Sequence, residues 1–121
     1  SMLAQAAMHE MGIAFELIDS LKTICSQNGV TKLKSVTLNL GEASLVVPRY
    51  MSDCWTAATL DTGFAKTELK IKIIPAKGRC NECGKVFLIA KHDRKCPKCG
   101  SENNFVPISG MEVEIAEIEA E

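Results

Sequence analysis

Two cysteine pairs of identical spacing constrain the fold of this chain more than any other feature. Cys80 and Cys83 form the first pair, Cys96 and Cys99 form the second, and a short linker separates them. Each pair is suited to a tight knuckle that points two sulfurs at one centre. Four thiolates at about 2.3 Å complete the tetrahedron that a structural zinc ion prefers. The spacing therefore predicts a four-cysteine zinc site.

A glycine follows each pair directly, at Gly84 and Gly100. A knuckle needs a residue there that tolerates positive φ and leaves room for backbone N–H groups near sulfur. Disulfides are disfavoured, because paired knuckles have poor disulfide geometry and no secretory signal is evident. An iron–sulfur cluster stays open, since ligand spacing alone does not exclude iron. Because four thiolates leave no vacant coordination position, we expect this site to hold structure and not to catalyse hydrolysis.

Length and charge narrow the alternatives. A chain of 121 residues fits one domain or a small core plus a metal-stapled module, and the region 77–104 has too few large apolar residues to fold without metal. The net charge of −1 creates no global field that would recruit nucleic acid or a membrane surface. No apolar run reaches the length of a membrane span. The unpaired cysteines indicate a reducing, cytoplasmic location.

Hydrophobic periodicity outlines the remaining elements. A helix is predicted from Met8 to Gln27, and an alternating strand is predicted over Lys34–Leu40. Pro48 opens a second helix, and two more strands are predicted over Glu68–Ile74 and at the C-terminus. The predicted inward residues are Met11, Ala14, Phe15, Ile18, Leu21 and Cys25 in the first helix, Val36, Leu38 and Leu40 in the first strand, Met51, Cys54, Trp55 and Ala58 in the second helix, Leu69, Ile71 and Ile73 in the second strand, and Met111, Val113 and Ile115 in the last.

The last strand has no room to build a core of its own, so it is expected to pair with the earlier sheet. The predicted fold class is α+β, with two helices packed on a three-stranded sheet and an inserted four-cysteine, zinc-ribbon-like module. We expect residues 8–75 and 107–121 to form the α/β domain and residues 76–106 to form the zinc module. Residues 1–7 are expected to be an upstream extension, with Met8 as the biological start.

Met8, His9 and Glu10 form a second candidate site. The first turn of a helix has N–H groups without intrahelical acceptors, so His9 at a helix start offers an amide to a metal. If Met8 were the first residue, its amine, the His9 amide and the His9 imidazole would form fused chelate rings. A further donor from Glu10 or elsewhere would complete a square-planar field suited to Ni(II) or Cu(II). The plainer interpretation is a solvated histidine near a frayed helix start.

Together these motifs resemble the HypA/HybF family of nickel-incorporation proteins in [NiFe]-hydrogenase maturation. The resemblance rests on Met8-His9-Glu10-Met11, Leu40-Gly41-Glu42, Val47-Pro48, the two cysteine pairs and Gly110-Met111-Glu112-Val113, and it covers Met8 to Glu119. It implies a nickel metallochaperone that binds Ni(II) through Met8, His9 and Glu10 and holds structural zinc at the four cysteines. It also implies a GTPase partner, delivery to the hydrogenase large subunit or to urease maturation proteins, and a monomer or homodimer. This chain departs from the pattern, because seven residues precede Met8 and turn its amine into an amide.

The remaining candidate ligands have plainer interpretations. His92 lies between the cysteine pairs among charged neighbours and is expected to be a solvated loop histidine, with a nickel or zinc ligand as the alternative. Cys25 and Cys54 fall on apolar helix faces, where small buried hydrophobes are expected.

A nucleic-acid-binding zinc ribbon is the main rival function. The region around the cysteines has seven basic residues and two acidic ones, Glu82 and Asp93. Counting Zn(II) and four thiolates, its net charge is about +3. The basic residues are Lys77, Arg79, Lys85, Lys91, Arg94, Lys95 and Lys98. Only Phe87 offers an aromatic ring between the knuckles, so a base-stacking platform is missing and a protein-interaction module explains the charges equally well. An enzyme is the weakest alternative, because no nucleophile is paired with a base and no glycine loop suits a phosphate.

Overall fold

The computed structural model describes Met2–Glu121, with side chains from His9 onward. Its elements in chain order are α1 (Met2–Gln27), β1 (Leu33–Gly41), α2 (Pro48–Thr59), β2 (Glu68–Ile74), β3 (Lys77–Cys80), β4 (Val86–Leu88), β5 (Phe105–Ser109) and β6 (Val113–Ala120). The chain forms two compact units. One comprises Ser1–Leu38, Val46–Lys72 and Glu114–Glu121, and the other comprises Asn39–Leu45 and Ile73–Val113. The fold is α+β, as predicted.

Helix α1 begins six residues earlier than predicted, at Met2 instead of Met8. The residues added at its start include leucine, alanines and glutamine, which have high helix propensity, so they extend the helix that the downstream residues nucleate. His9 therefore lies in the second turn of α1 and not in its first. An amide that far from the helix start has a carbonyl acceptor one turn earlier.

The apolar stripe of α1 contains most of the predicted residues. Ala14, Leu17, Ile18, Leu21 and Cys25 are buried. Phe15 is an exception, since 54% of its surface is exposed. Consecutive helical residues differ in direction by about 100°, so a residue beside the centre of the stripe falls at its edge. The prediction that Phe15 faces the core is wrong for this reason.

The first sheet has the strand order β2-β1-β6. At one end Thr67 Oγ1 donates to the Leu33 carbonyl and at the other Glu42 N donates to the Ile74 carbonyl, so β1 and β2 run parallel. The Glu121 amide instead meets the Lys32 carbonyl, so β6 runs antiparallel to β1. This sheet confirms that the C-terminal strand returns to the earlier strands.

The central strand of this sheet has the predicted alternation. Val36, Leu38 and Leu40 are almost fully buried. On the flanking segments Ile73 and Met111 are exposed, which corrects the prediction that both face inward. Met111 precedes β6, and Ile73 lies near the end of the edge strand β2.

Helix α2 begins at Pro48, as predicted, because the missing proline N–H has no intrahelical partner in the first turn. Met51, Cys54 and Trp55 are buried, while Ala58 is only partly covered. The Trp55 indole donates a hydrogen bond of 3.0 Å to the Thr67 carbonyl, which satisfies its polar atom inside the core. Across the described residues, no helix is both long enough and apolar enough to cross a membrane.

The second unit contains a small sheet with the order β4-β3-β5, and β3 is antiparallel to both neighbours. Gly41, Gly110 and Ala76 meet closely in this unit. A Cβ atom on Gly41 would overlap the Gly110 carbonyl, and one on Gly110 would lie 2.6 Å from the Ala76 Cα atom. The glycine in the Leu40-Gly41-Glu42 motif therefore has a packing reason, and Glu42 adds a hydrogen bond of 3.3 Å from the Ala76 amide.

Candidate metal centre

The two cysteine pairs fold into knuckles with the same hydrogen-bond pattern. In the first, the Cys80 amide donates to the Lys85 carbonyl and the Gly84 amide donates back to the Cys80 carbonyl, each at 2.9 Å. In the second, the Cys96 amide donates to Ser101 at 3.0 Å and the Gly100 amide to Cys96 at 2.9 Å. Gly84 and Gly100 have φ angles of +77° and +76°, so the predicted need for glycine is confirmed.

The four sulfurs converge on one point. Cys80 Sγ lies 3.5 Å from Cys99 Sγ, and Cys83 Sγ lies 3.5 Å from Cys96 Sγ. All four sulfurs lie within 4.8 Å of one another. Sulfurs bound at about 2.3 Å to one tetrahedral ion would be about 3.8 Å apart, so the arrangement fits such an ion. Each of the closer contacts joins one knuckle to the other, which means that a bound metal would tie the two knuckles together.

A small apolar core supports the cluster from one side. Cys80, Cys96 and Phe87 are buried, and Cys83 and Phe105 pack against them. The Phe87 and Phe105 rings meet edge to face, with centroids 5.8 Å apart and planes at 82°. Cys99 is the exposed member of the four thiols. The cluster is therefore packed against apolar side chains on its inner side and accessible to solvent at one sulfur.

The thiols affect each other's ionisation. Burial would raise the pKa of Cys96, but the amides of Cys99 and Lys98 and the neighbouring Cys83 and Cys99 thiols lower that pKa to about 6. The Ser101 amide favours the Cys99 thiolate, yet partial desolvation and the other three thiols raise the Cys99 pKa to about 12. One thiol of the cluster thus ionises readily, and its negative charge disfavours ionisation of the next. Holding all four as thiolates requires a cation, and acid weakens its binding because protons compete for sulfur.

His92 does not join this cluster. Its ring lies edge to face on Phe87 with centroids 6.2 Å apart, and it is partly buried instead of fully solvated. In the part of the chain whose side chains are described, the donor atoms grouped closely enough for a metal ion belong to the four cysteines alone. The structure thus places His92 beside the apolar support of the cluster.

The second candidate site lies on α1. The His9 side chain is 58% exposed and Glu10 is completely buried, yet His9 Nδ1 and Glu10 Oε1 are only 3.4 Å apart. The other carboxylate oxygen, Glu10 Oε2, has no hydrogen-bond partner among the described residues. The side chain of Met8 lies outside the residues whose side chains are described. The structure therefore brings two of the three predicted nickel ligands side by side.

The burial of Glu10 was not anticipated from the sequence. Its position, four residues before Ala14 and seven before Leu17, lies on the apolar stripe of α1, so helical periodicity places it inside. A carboxylate is normally expected to face solvent, so the helical periodicity that places Glu10 on the buried face was not used. Glu10 also affects Cys54 on α2. Burial raises the pKa of the Cys54 thiol most, and the nearby Glu10 and Asp53 carboxylates raise it further. Cys25 and Cys54 are both buried, as predicted.

The fold is an α+β core with an inserted four-thiol cluster, and its first helix carries an adjacent histidine and carboxylate. These features are typical of a small metal-binding protein. The chain matches the family model described as "Hydrogenase/urease nickel incorporation, metallochaperone, hypA" over residues 8–120. It therefore belongs to the HypA family of nickel-incorporation metallochaperones, which confirms the resemblance seen in its motifs.

Individual relatives agree with this assignment. The chain is 36% identical over 115 residues to the hydrogenase maturation factor HypA of Geobacter metallireducens, covering 94% of this chain and 100% of the relative. The HypA of Geotalea uraniireducens is equally similar over the same shares. The solution structure of the Ni metallochaperone HypA from Helicobacter pylori is 21% identical, with a TM-score of 0.66 over 92% of this chain and 96% of that one, and shows a common fold.

Proposed function

We propose that this chain is a nickel metallochaperone that binds Ni(II) at Met8, His9 and Glu10. With a GTPase partner it delivers the ion to the large subunit of [NiFe]-hydrogenase during maturation, or to urease maturation proteins. The family match over residues 8–120 carries this proposal, because its description names nickel incorporation into both enzymes. The chain acts as a carrier, and any GTP hydrolysis belongs to the partner.

The proposed nickel site uses donors that can be released. His9 Nδ1 and Glu10 Oε1 lie 3.4 Å apart, which suits two donors converging on one ion. A terminal amine on Met8 and the His9 amide nitrogen complete a mainly nitrogen field of the kind that Ni(II) prefers. The amide and imidazole must lose protons to bind, so nickel affinity falls with acid and a competing acceptor can withdraw the ion.

The position at which α1 begins affects the nickel affinity of the proposed site. In this chain α1 already begins at Met2, so helical hydrogen bonding competes with nickel for the His9 amide. A chain that begins at Met8 has His9 in the first turn, where that amide has no intrahelical acceptor. We therefore propose that the shorter form is the competent nickel carrier.

We propose that the four-cysteine centre holds structural zinc. The sulfurs fit a tetrahedral ion and leave no vacant position, so the ion organises the knuckles and does not itself exchange with the cargo. In this proposal the zinc ion stays bound and maintains the structure, while the nickel ion is the one that is transported.

Nickel calorimetry tests the proposal. A version beginning at Met8 is expected to bind Ni(II) more tightly than the chain that begins at Ser1, because it offers an amine and a free amide. His9→Ala in the shorter version is expected to lose at least about tenfold in affinity, which corresponds to about 1.4 kcal/mol.

His92→Ala is the matched control and is expected to retain nickel binding. Equal affinities of the two lengths would show that the Met8 amine is not a ligand. Unchanged nickel uptake by His9→Ala would refute the site itself.

A further inference from the structure

An apolar groove opens in the second unit beside the loop that follows β1. Its volume is about 440 Å³, and its lining includes Leu45, Ala76, Ile89, Phe105 and Pro107. Leu45 is 87% exposed, more than any other large apolar side chain among the described residues. An exposed leucine beside an apolar concavity is costly to leave in water, and such surfaces commonly mark binding sites.

Arg94 gives one side of the groove a fixed positive charge. Its Nε atom donates a 2.7 Å hydrogen bond to Asn103 Oδ1, and its guanidinium carbon lies 5.3 Å from the centre of the Phe105 ring. Within the described part of the chain, no carboxylate forms an ion pair with it. The two terminal nitrogens of the guanidinium are therefore oriented and available for a carboxylate, which they can bind with two parallel hydrogen bonds.

Backbone strain concentrates around the same groove. Among the described residues, the non-glycine residues with positive φ are Leu45 (66°), Asp93 (53°), Arg94 (63°) and Asn103 (50°). Leu45 and Arg94 line the groove, Asn103 holds Arg94, and Asp93 precedes it. Asparagine and aspartate tolerate this conformation, but leucine and arginine do so poorly. Strained residues of this kind persist mainly where binding or catalysis requires them.

The charges near the groove favour an acidic occupant. Lys77 and Lys91 are exposed neighbours of the lining residues Ala76 and Ala90, and neither forms an ion pair with a described residue. The one acid of the lining, Glu42, accepts a hydrogen bond from the Ala76 amide at 3.3 Å. Asp93, which precedes Arg94, is a second carboxylate near the groove, and it forms no ion pair with a described residue. Three basic side chains therefore stand against two acids, and the small positive excess favours an acidic occupant, because complementary charge both steers a partner to the site and selects it.

We propose that this groove binds an extended segment of a partner protein in which an aspartate or glutamate lies next to apolar residues. The carboxylate pairs with the terminal nitrogens of Arg94, and the apolar side chains fill the space between Leu45 and Phe105. The site lies outside the nickel donors, so the proposal does not depend on the nickel chemistry described above.

A random twelve-residue peptide library displayed on phage, selected against the metal-loaded full chain, tests this assignment. The enriched peptides are expected to share an acid flanked by apolar residues. When they are synthesised, fluorescence anisotropy is expected to show about a tenfold loss of affinity for Arg94→Gln, and a similar loss when the peptide acid becomes an amide. Combining both changes is expected to cost little more than either one, because both remove the same contact.

Leu45→Asn separates binding from folding. Asparagine tolerates positive φ, so the variant is expected to melt at a higher temperature while it binds the peptides more weakly. The matched controls are Leu60→Asn, at an exposed leucine just after α2, and Arg79→Gln, at an exposed arginine in β3. Both are expected to bind the peptides normally, and metal content and circular dichroism confirm that each variant is folded.

Three results would overturn the proposal. Selection that yields no peptide dependent on both Leu45 and Arg94 would show that the groove is not a peptide site. Displacement of the peptides by an equal concentration of acetate would reduce it to simple anion binding. Concentration-dependent dimerisation that Arg94→Gln abolishes, measured by sedimentation, would assign the groove to a second copy of this chain.

Discussion

Glu10 is a carboxylate in a position where burial is energetically costly. Its side chain is completely buried, and one of its oxygens has no partner among the described residues. A buried carboxylate oxygen without a hydrogen bond destabilises the folded state. A cation bound at His9 and Glu10 would compensate that charge, and we propose that this gain favours metal uptake there.

Replacing Glu10 by methionine tests this account. Glu10→Met is expected to raise the free energy of unfolding by about 1–3 kcal/mol, because an unsatisfied polar group is exchanged for an apolar one of similar length. The same change is expected to weaken nickel binding. Urea denaturation and nickel calorimetry measure the two effects.

Glu16→Met is the matched control, since Glu16 is an exposed glutamate of the same helix. It is expected to leave both quantities nearly unchanged. A Glu10→Met protein that is less stable than this control would mean that the carboxylate is fully satisfied in the folded chain.

At the scale of elements, glycines permit close approach where the first strand ends. Gly41 packs against Gly110 with no room for a side chain, and Glu42 fixes the Ala76 amide beside them. Backbone segments that touch in this way hold the ends of three chain segments in register. The position tolerates nothing larger than glycine.

Gly41→Ala is expected to lower the free energy of unfolding by about 3 kcal/mol or more, because the added Cβ displaces backbone atoms that cannot move independently. Thermal or urea unfolding followed by circular dichroism measures the change. Gly12→Ala is the matched control within α1, where a Cβ would meet nothing within 4 Å. It is expected to stabilise the chain by about 0.5–1 kcal/mol, since alanine is the better helix former. A neutral Gly41→Ala would show that the two glycines separate readily.

The elements that the sequence predicts well are those in which periodicity and chemistry agree. Val36, Leu38 and Leu40 alternate and are apolar, so β1 and its buried face follow directly. Phe15 and Glu10 are the opposite case, because the stripe that α1 buries includes Glu10 and leaves Phe15 at its edge, against what each residue type favours. Tertiary packing put the carboxylate inside and the phenyl ring outside.

The four-cysteine cluster was predictable for a related reason, since Cys-x-x-Cys spacing and the following glycine are both local. The contact of Arg94 with Asn103 and Phe105 was not, because it joins residues of unremarkable type through backbone conformations that no motif encodes. The start of α1 was missed because the extension before Met8 consists of helix formers whose effect depends on the helix that follows.

At the scale of the whole molecule, two compact units with cores of different kinds share one chain. The first contains the packed helices and most of the first sheet, and its core is mostly apolar. The second contains the four sulfurs and a small cluster around Phe87. A core that small does not hold a fold alone, so we expect metal binding to contribute directly to folding there. We propose that residues 76–106 lose their structure when the metal is removed.

Chelation by EDTA is therefore expected to abolish amide-exchange protection in β3, β4 and β5 while α1, α2 and β1 keep theirs. Hydrogen exchange followed by mass spectrometry resolves these segments. Cys96→Ser is expected to reproduce the loss without chelator, and Cys25→Ser, at a buried thiol outside the cluster, is expected not to. Uniform loss across the chain would mean that the two units unfold as one.

The order in which the chain passes between the two units limits how gene segments that encode them can be exchanged. The unit that contains the four cysteines consists of two separate stretches, Asn39–Leu45 and Ile73–Val113, and the other unit consists of three. A gene segment encoding the cysteines alone would leave behind the loop that carries Gly41 and Leu45. A single gene segment long enough to carry both stretches also carries Val46–Lys72 of the other unit, so we expect the cysteines and that distant loop to descend together with it.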